Sequence, residues 1–347
     1  MTISRRQFGK LVLGAGAVAP MGFVRRATAA PKPGDQLVVG VWGGVQERIV
    51  REFCVAPLEA KYKCKVNLVL GGTPERRARA YAERGRPSFD VLYLNIFESR
   101  QAMKDGVTQA PGPQVPQFAH LAPIAKVGGY GVAINPITII YDKRKAKSPI
   151  KSWKDLWNPE WRHRIAWPAY PSAEGAAGLL MTAKVWGGDE RHMDVAFDKI
   201  KQLKPFAALA SSQDELYQML DTGVCDAAIE FGSLSRKYAE TRNPNLVIAT
   251  PIEGQAAALN VACITAGAPN QKLAEEWINL HLSEPCMLAY ARQTYYSPTV
   301  DNVALPADLK PKLIVPQDVG KLVAFDWDEV NKNQRMWASR FNREIAG

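Results

Sequence analysis

Polar, acidic, aromatic and glycine residues stand after several short apolar runs of this sequence. They are Trp42, Gly43, Gly44, Thr73, Asn95, Phe97, Tyr170, Ser172 and Glu230. In open α/β sheets, ligands bind beyond the carboxyl ends of strands, where loops lead into helix N-termini. These positions therefore predict one ligand-binding site, built from several loops that the fold brings together.

The residue types at these positions suggest two opposite ligand charges. Glu230 is suited to anchor an amine, and Trp42, Tyr130 and Tyr170 are suited to form aromatic walls for a cation or an apolar stem. Ser172 precedes a predicted helix whose first amides can hold an anion. Each residue also has a purely structural interpretation: a packed tryptophan, a helix cap, or a salt-bridged glutamate.

Catalytic and cofactor motifs are missing from the sequence. It contains no G-x-S-x-G elbow, no H-E-x-x-H pair and no cysteine cluster for iron or haem. The glycine spacing in residues 14–19 resembles a dinucleotide-binding turn but lies inside an apolar leader, so we reject it. The four histidines are scattered. We predict a non-catalytic binding protein without a cofactor or metal, and an exported enzyme with a bound cofactor is the alternative.

The first thirty residues predict export. Arg5 and Arg6 precede a short apolar run, and small residues at 27–30 suit a signal peptidase. The arginine pair resembles a twin-arginine signal, the bacterial export route for folded proteins, and places the mature chain in the periplasm. A retained membrane anchor is the alternative, but no second apolar segment of spanning length follows. In an oxidising compartment Cys54 and Cys64 are candidates for a disulfide, which the sequence leaves open.

Length and charge limit the remaining possibilities. The chain has 347 residues and a formal net charge of +10. Without the five basic residues of the leader, 39 basic residues face 34 acidic ones, which is an ordinary balance and does not indicate a nucleic acid partner. Because single cores stop growing near about 250–300 residues, two lobes are expected.

The elements that must position the candidate residues alternate between strand and helix patterns. Strands are predicted at 37–41, 65–70, 89–94, 164–167 and 225–230, and helices follow at 45–60, at about 174–186 and from Asp326 onward. Extended runs at 132–141 and 255–265 are predicted to cross between lobes. This alternation predicts an α/β protein with largely parallel sheets.

The chain resembles a periplasmic solute-binding protein of an ABC importer, most closely the spermidine/putrescine-binding branch. The resemblance rests on the segments at 152–157, 268–278, 282–285 and 296–298. It implies a two-lobed clamshell with two extended crossings, each lobe a mostly parallel sheet flanked by helices. It also implies a monomer that delivers a small solute to an inner-membrane permease. The expected lobes are 31–134 with 264–347, and 135–263, after an export signal at 1–30.

The same resemblance leaves the solute undecided. Asn260 stands where polyamine binders hold an aspartate against a ligand amine, so the expected carboxylate is replaced by a neutral amide. Polyamines, amino acids, small carboxylates, phosphonates and neutral solutes therefore stay open. Tyr295 and Tyr296 resemble the tyrosine pair of ferric-binding proteins, an alternative that we consider weak. A ligand-sensing protein with the same fold also remains possible.

Overall fold

A computed structural model describes residues 30–210, 212–314 and 316–347, and only the backbone of 316 and 317. The predicted export leader lies outside the described residues except for Ala30. No helix within the described residues is long and apolar enough to cross a membrane.

The described residues form ten strands and eleven α-helices. The strands are β1 (Gln36–Val41), β2 (Lys65–Leu70), β3 (Val91–Asn95), β4 (Tyr130–Ile134), β5 (Ile137–Asp142), β6 (Ile165–Pro168), β7 (Ala208–Ala210), β8 (Ala227–Phe231), β9 (Leu246–Ile248) and β10 (Leu259–Ile264). The helices are α1 (Val45–Val50), α2 (Ala56–Tyr62), α3 (Thr73–Ala82), α4 (Ile96–Lys104), α5 (Ala173–Val185), α6 (Asp194–Lys201), α7 (Gln213–Thr222), α8 (Gly232–Thr241), α9 (Gln271–His281), α10 (Glu284–Thr294) and α11 (Trp327–Phe341). A π-helical turn, Arg51–Val55, joins α1 to α2, and another, Asn342–Ala346, follows α11.

The strands form two five-stranded sheets with the same internal order. The first sheet runs β2-β1-β3-β10-β4 and the second runs β7-β6-β8-β5-β9. In each sheet the fourth strand, β10 or β5, is antiparallel to both of its neighbours, and the β1–β2, β1–β3, β6–β7 and β6–β8 pairs are parallel. The predicted two-lobed α/β architecture with mostly parallel sheets is confirmed.

The chain passes between the lobes where β4 leads into β5 and where β9 leads toward β10. The first passage lies between Ile134 and Ile137. The second differs from the predicted boundary at 263, because β10 is hydrogen-bonded to β3 and β4 throughout and so belongs to the first sheet. The crossing therefore precedes Leu259.

A third passage lies near Val323, which pairs with Ala256 of the second crossing. The predicted boundaries assign the end of the chain to lobe 1 alone. In the structure, α11, which follows this passage, contacts both lobes. Arg100 of lobe 1 forms an ion pair with Asp328 at the start of α11. Arg340 near its end pairs with Asp194 of lobe 2. Segments that connect two lobes at one edge leave the opposite strand ends free to face a cleft.

Candidate functional site

A cavity of about 300 Å³ lies between the strand ends of the two lobes. Its lining comes from strand ends, helix N-termini and the first crossing. The lining residues are Trp42, Gln46, Thr73, Pro74, Asn95, Glu98 and Asn260 from lobe 1, Asn135 from the crossing, Pro171, Ser172, Ala173, Glu174, Gln213, Phe231 and Leu234 from lobe 2, and Tyr296.

Trp42, directly after β1, forms the aromatic wall on the lobe 1 side. The Arg76 guanidinium lies 4.6 Å from the centre of the indole ring. It donates to the carbonyl oxygens of Tyr93, at 3.1 Å, and Gly71. Burial lowers the pKa of Arg76 to about 10. Because carbonyl oxygens take its hydrogen bonds, Arg76 fixes the orientation of Trp42 without itself lining the cavity.

Glu98 supplies a carboxyl group from the first turn of α4. Burial raises its pKa to about 7, although the nearby positive charges of Arg77 and Arg76 act in the opposite direction. Among the described residues, its Oε2 atom has no hydrogen-bond partner. A buried acceptor without a partner costs free energy, so this oxygen is prepared to accept a donor from a ligand.

Ser172 and Glu174 stand at the start of α5 in lobe 2. The Ser172 hydroxyl oxygen accepts from the backbone N–H of Gly175 at 2.9 Å, so the predicted cap is present. A Cβ at Gly175 would lie 2.5 Å from the Ala169 carbonyl oxygen, and glycine therefore allows the helix to begin close against the end of β6. Burial raises the pKa of Glu174.

Glu230, the anchor predicted from the sequence, lies behind the cavity wall. Its side chain is 3% exposed. Its Oε1 atom accepts from Gln213 Nε2 at 3.0 Å and from the Phe231 backbone N–H at 2.7 Å. Burial, followed by the negative charge of Glu174, raises the pKa of Glu230 well above its usual range. Glu230 thus acts on the cavity through Gln213 and through its repulsion of Glu174.

Neutral amides cover the side of the cavity near the crossings. The Asn260 side-chain amide donates through Nδ2 to Gln46 Oε1 at 3.3 Å. Asn260 lies where the pairing register between β10 and β4 shifts. The Tyr296 hydroxyl interacts with the side chains of Asn135 and Asn260. These groups offer both donors and acceptors but no formal charge.

Five of the residues predicted from the sequence line the cavity: Trp42, Thr73, Asn95, Ser172 and Asn260. The other six do not: Gly43, Gly44, Phe97, Tyr130, Tyr170 and Glu230. Whether any of the eleven contacts a solute remains a prediction.

The three aromatic residues that do not line the cavity pack elsewhere. The ring of Phe97 packs 4.5 Å from that of Trp327. The Tyr130 hydroxyl accepts from the backbone N–H of Gly112 at 3.0 Å. Tyr170 packs against Phe341, with 6.0 Å between ring centres. Each side chain therefore fills the core or fixes α11 instead of forming a ligand wall.

Two of the residues missed by sequence reasoning carried a usable signal. Glu98 and Glu174 both lie in the first turn of a helix that follows a correctly predicted strand, where the same strand-end rule applies.

The tyrosine pair, Tyr295 and Tyr296, does not converge on the cavity. Tyr296 lines it, whereas the Tyr295 hydroxyl bonds Glu240 and lies 2.9 Å from Lys312 Nζ.

The disulfide between Cys54 and Cys64, which the sequence left open, is absent from the described residues. Cys64 Sγ faces the Leu58 carbonyl oxygen at 3.7 Å, and Cys54 Sγ lies 4.0 Å from Cys286 Sγ. All five cysteines are buried free thiols.

Two sheets of matching order, joined by extended crossings around a cavity at their strand ends, define the class of two-lobed solute-binding proteins. Within this class, residues 54–317 match the family described as bacterial extracellular solute-binding protein. The chain belongs to this family, and the resemblance found in the sequence is confirmed.

Relatives and solved structures share this fold at low identity. The thiamine-binding periplasmic protein of Escherichia coli (strain K12) is 26% identical over 209 residues, 60% of this chain and 61% of the relative, so the match spans less than two thirds of that relative. Iron uptake protein A1 of Synechocystis sp. is 23% identical over 324 residues, covering 87% of this chain and 89% of the relative. An ABC transporter structure from Clostridium perfringens has a TM-score of 0.77 at 24% identity, covering 89% of this chain and 99% of the other. A spermidine/putrescine ABC transporter substrate-binding protein from Streptococcus pneumoniae has a TM-score of 0.70 at 16% identity, covering 88% and 99%.

Proposed function

We propose that this chain captures a small organic cation between its lobes and delivers it to the permease of an ABC importer. The observation that carries the proposal is the charge of the cavity. Glu98 and Glu174 line it and Glu230 lies behind Gln213, whereas none of the described lining residues is a lysine or an arginine. Carboxylates in a poorly hydrated cleft are costly unless a cation pairs with them.

The shape and size of the cavity support a compact cation. Trp42, Phe231 and Leu234 offer apolar surface, and the amides offer neutral hydrogen-bonding groups around the acids. A volume of about 300 Å³ is at the lower end of the ~300–1,000 Å³ range of ligand pockets. Linear polyamines and small ammonium compounds are therefore the favoured class.

An anionic solute is disfavoured by the same residues. The start of α5 is the anion site predicted from Ser172, but Glu174 already places a carboxyl group in its first turn. A negative ligand there would add to the repulsion between Glu174 and Glu230. The positive N-terminus of α5 is therefore already paired with the carboxyl group of Glu174 and does not favour an external anion.

Capture is expected to work by a shift between open and closed forms. Contacts from both lobes exist together only in the closed form, so a ligand stabilises closure about the crossings near residues 134–137 and 249–258. The closed form then presents one continuous surface of both lobes to a permease. The family match and the ABC transporter likeness support this role.

The site of action is proposed to be the periplasm, reached through the twin-arginine leader. Replacing Arg5 and Arg6 with lysines should retain the chain in the cytoplasm, as followed by cell fractionation. Export of the double-lysine variant at the normal rate would argue for a different route.

A thermal-shift screen of the leaderless chain tests the proposed ligand class. The panel holds putrescine, spermidine, thiamine, basic and acidic amino acids, small carboxylates, phosphonates and ferric citrate. A true ligand at about 100 times its Kd adds about 2.7 kcal/mol of stability, a shift of several degrees. Stabilisation by amines alone supports the proposal. Stabilisation by carboxylates, phosphonates or ferric citrate, but not by amines, would overturn it.

A further inference from the structure

Three potential metal ligands meet inside lobe 1, in residues that line no part of the solute cavity. Cys54 lies in the turn between α1 and α2, His281 ends α9, and Cys286 lies in the first turn of α10. All three are 0% exposed. Each offers one donor atom, and these atoms lie within 4.8 Å of one another.

The separation of the two sulfurs matches ligands of a common ion. Cys54 Sγ and Cys286 Sγ are 4.0 Å apart, about twice the ~2.05 Å bond of a disulfide. Two thiolates bound at about 2.3 Å with tetrahedral angles would stand roughly 3.8 Å apart. The two thiols are in S–H···S contact, at a separation roughly 0.2 Å longer than that of two thiolates on a common ion.

The His281 ring is held as metal-binding imidazoles are held. The Tyr93 hydroxyl oxygen accepts from Trp277 Nε1 at 2.9 Å and lies 2.5 Å from His281 Nδ1. In the tautomer with the proton on Nδ1, the same oxygen accepts the Nδ1–H, and Nε2 keeps its lone pair. Within the described part of the chain, Nε2 has no hydrogen-bond partner. A ligating histidine has one nitrogen fixed by an outer partner and the other free for the metal.

We infer that Cys54, Cys286 and His281 form a buried site for a thiophilic closed-shell metal ion, Zn²⁺ or Cu⁺. Soft thiolates with an imidazole select these ions. Binding exchanges the two thiol protons for the metal, with no change of oxidation state. Zn²⁺ with two thiolates and a neutral imidazole has zero net charge, which suits an apolar core, whereas Cu⁺ suits a site with only three donors.

The expected effect of the ion is structural. It ties the α1–α2 turn to the segment 281–286, more than two hundred residues later in the chain. Since all three residues are inaccessible in the folded protein, the ion must enter during folding. The metal site is separate from the solute site, because none of its three ligands lines the cavity.

The test uses the full-length chain refolded after removal of metal, with Zn²⁺ or Cu⁺ supplied under reducing conditions. We expect about one equivalent of metal per chain after desalting, and a higher Tm than in the chelator-treated protein. Co²⁺ in place of Zn²⁺ should give a thiolate-to-metal charge-transfer band. The comparison of Zn²⁺ with Cu⁺ identifies the preferred ion.

Variants separate these ligands from other buried thiols. Cys54→Ala with Cys286→Ala, and separately His281→Gln, should retain less than about a tenth of the metal. Cys225→Ala removes an equally buried thiol of lobe 2 and should bind metal normally.

Results on the unaltered chain decide the matter even if the variants fail to fold. A refolded protein that binds neither ion and shows five titratable thiols when unfolded would make the cluster ordinary core packing. Three titratable thiols, with the missing pair formed by Cys54 and Cys286, would make it a disulfide. Either result overturns the inference.

Discussion

The two lobes share one sheet order but balance the acids at their strand ends differently. In lobe 1, Glu98 follows β3 and feels the nearby charges of Arg76 and Arg77. In lobe 2, Glu174 follows β6 and Glu230 is the penultimate residue of β8. Burial raises the pKa of Glu174, and burial followed by the negative charge of Glu174 raises the pKa of Glu230. The strand ends of lobe 1 thus hold one acid whose charge is partly compensated by arginines, and those of lobe 2 hold a pair of acids without such compensation.

This difference indicates where a ligand's positive charge is best placed. A cation near Glu98 gains an attraction that the two arginines reduce. A cation near Glu174 removes the repulsion between two acids, so more of its attraction remains as binding free energy. Lobe 2 is therefore expected to fix the charge of the solute, while lobe 1 supplies Trp42 and the amides that fix its shape.

The largest effect is expected from Glu174→Gln. Removing one partner of a buried, charged hydrogen bond costs about 2–5 kcal/mol, so amine affinity should fall roughly 30-fold or more, as measured by calorimetry. Glu98→Gln should cost less, because the arginines already offset its charge. Asp198→Asn, at an exposed acid of lobe 2, is the control and should bind normally.

The Tm of the unliganded variant distinguishes loss of a contact from misfolding. Glu174→Gln relieves the repulsion of Glu230 and should leave the Tm equal to or above that of the parent. Equal losses of affinity for Glu98→Gln and Glu174→Gln would show that the two lobes do not differ as their charges suggest.

A second test is the pH dependence of binding and of stability, which should have opposite signs. Because the pKa of Glu98 is raised to about 7, and those of Glu174 and Glu230 are also raised, bound protons compete with a cation. Amine affinity should rise about tenfold or more between pH 5 and pH 8, where the carboxyl groups lose protons.

The unliganded protein should lose stability over part of the same range. The folded state binds more protons than the unfolded state between the unfolded pKa of a glutamate, about 4.3, and the folded pKa of Glu98. The free energy of unfolding therefore falls as pH rises through that window. Glu98→Gln should flatten the change near pH 7 in thermal melts. An affinity for amines that is constant with pH would contradict protonated acids in the cavity.

Much of the fold could be predicted from local sequence patterns. Apolar runs marked β1, β2, β3, β6 and β8 within a few residues, and the Ser172 cap marked the start of α5. The site was harder to predict, because the strand ends locate the cavity but do not show which side chains line it. Phe97 and Glu98 are adjacent in the sequence, yet Phe97 packs on Trp327 and Glu98 lines the cavity.

Long-range packing explains the remaining differences. Tyr170 follows β6 as predicted, but α11 returns from the end of the chain and covers it with Phe341. Similarly, Cys54 lies near Cys286, not its sequence neighbour Cys64, because α1 and α10 pack together. Such contacts depend on how helices that are distant in the sequence pack together. The local periodicity of apolar residues does not encode this packing.

A third change adds charge to the lobe 1 side. Asn260→Asp places a carboxylate in the cavity, where the asparagine amide now bonds Gln46. Hydrogen bonds to charged groups exceed neutral ones by about 1 kcal/mol, so amine affinity should rise roughly five-fold in calorimetry. Asn302→Asp, an equal charge change at an exposed position, should have no effect. A loss of amine affinity in Asn260→Asp would mean that the solute needs the amide as a donor.

The smallest effect is expected from Trp42→Phe, which tests whether the lobe 1 wall binds by its aromatic face. Cation–π attraction at a partly exposed ring is about 0.5–1 kcal/mol, and phenylalanine keeps part of it, so a two- to four-fold loss of amine affinity is expected. Trp186→Phe is the matched control, because that indole also lies under a side-chain cation, with Lys199 Nζ 3.9 Å from the ring centre, but lies outside the cavity. Since Arg76 already covers one face of Trp42, the solute has only the other face or the edge. A loss for Trp42→Phe as large as that for Glu174→Gln would therefore move the charged end of the solute from lobe 2 to lobe 1.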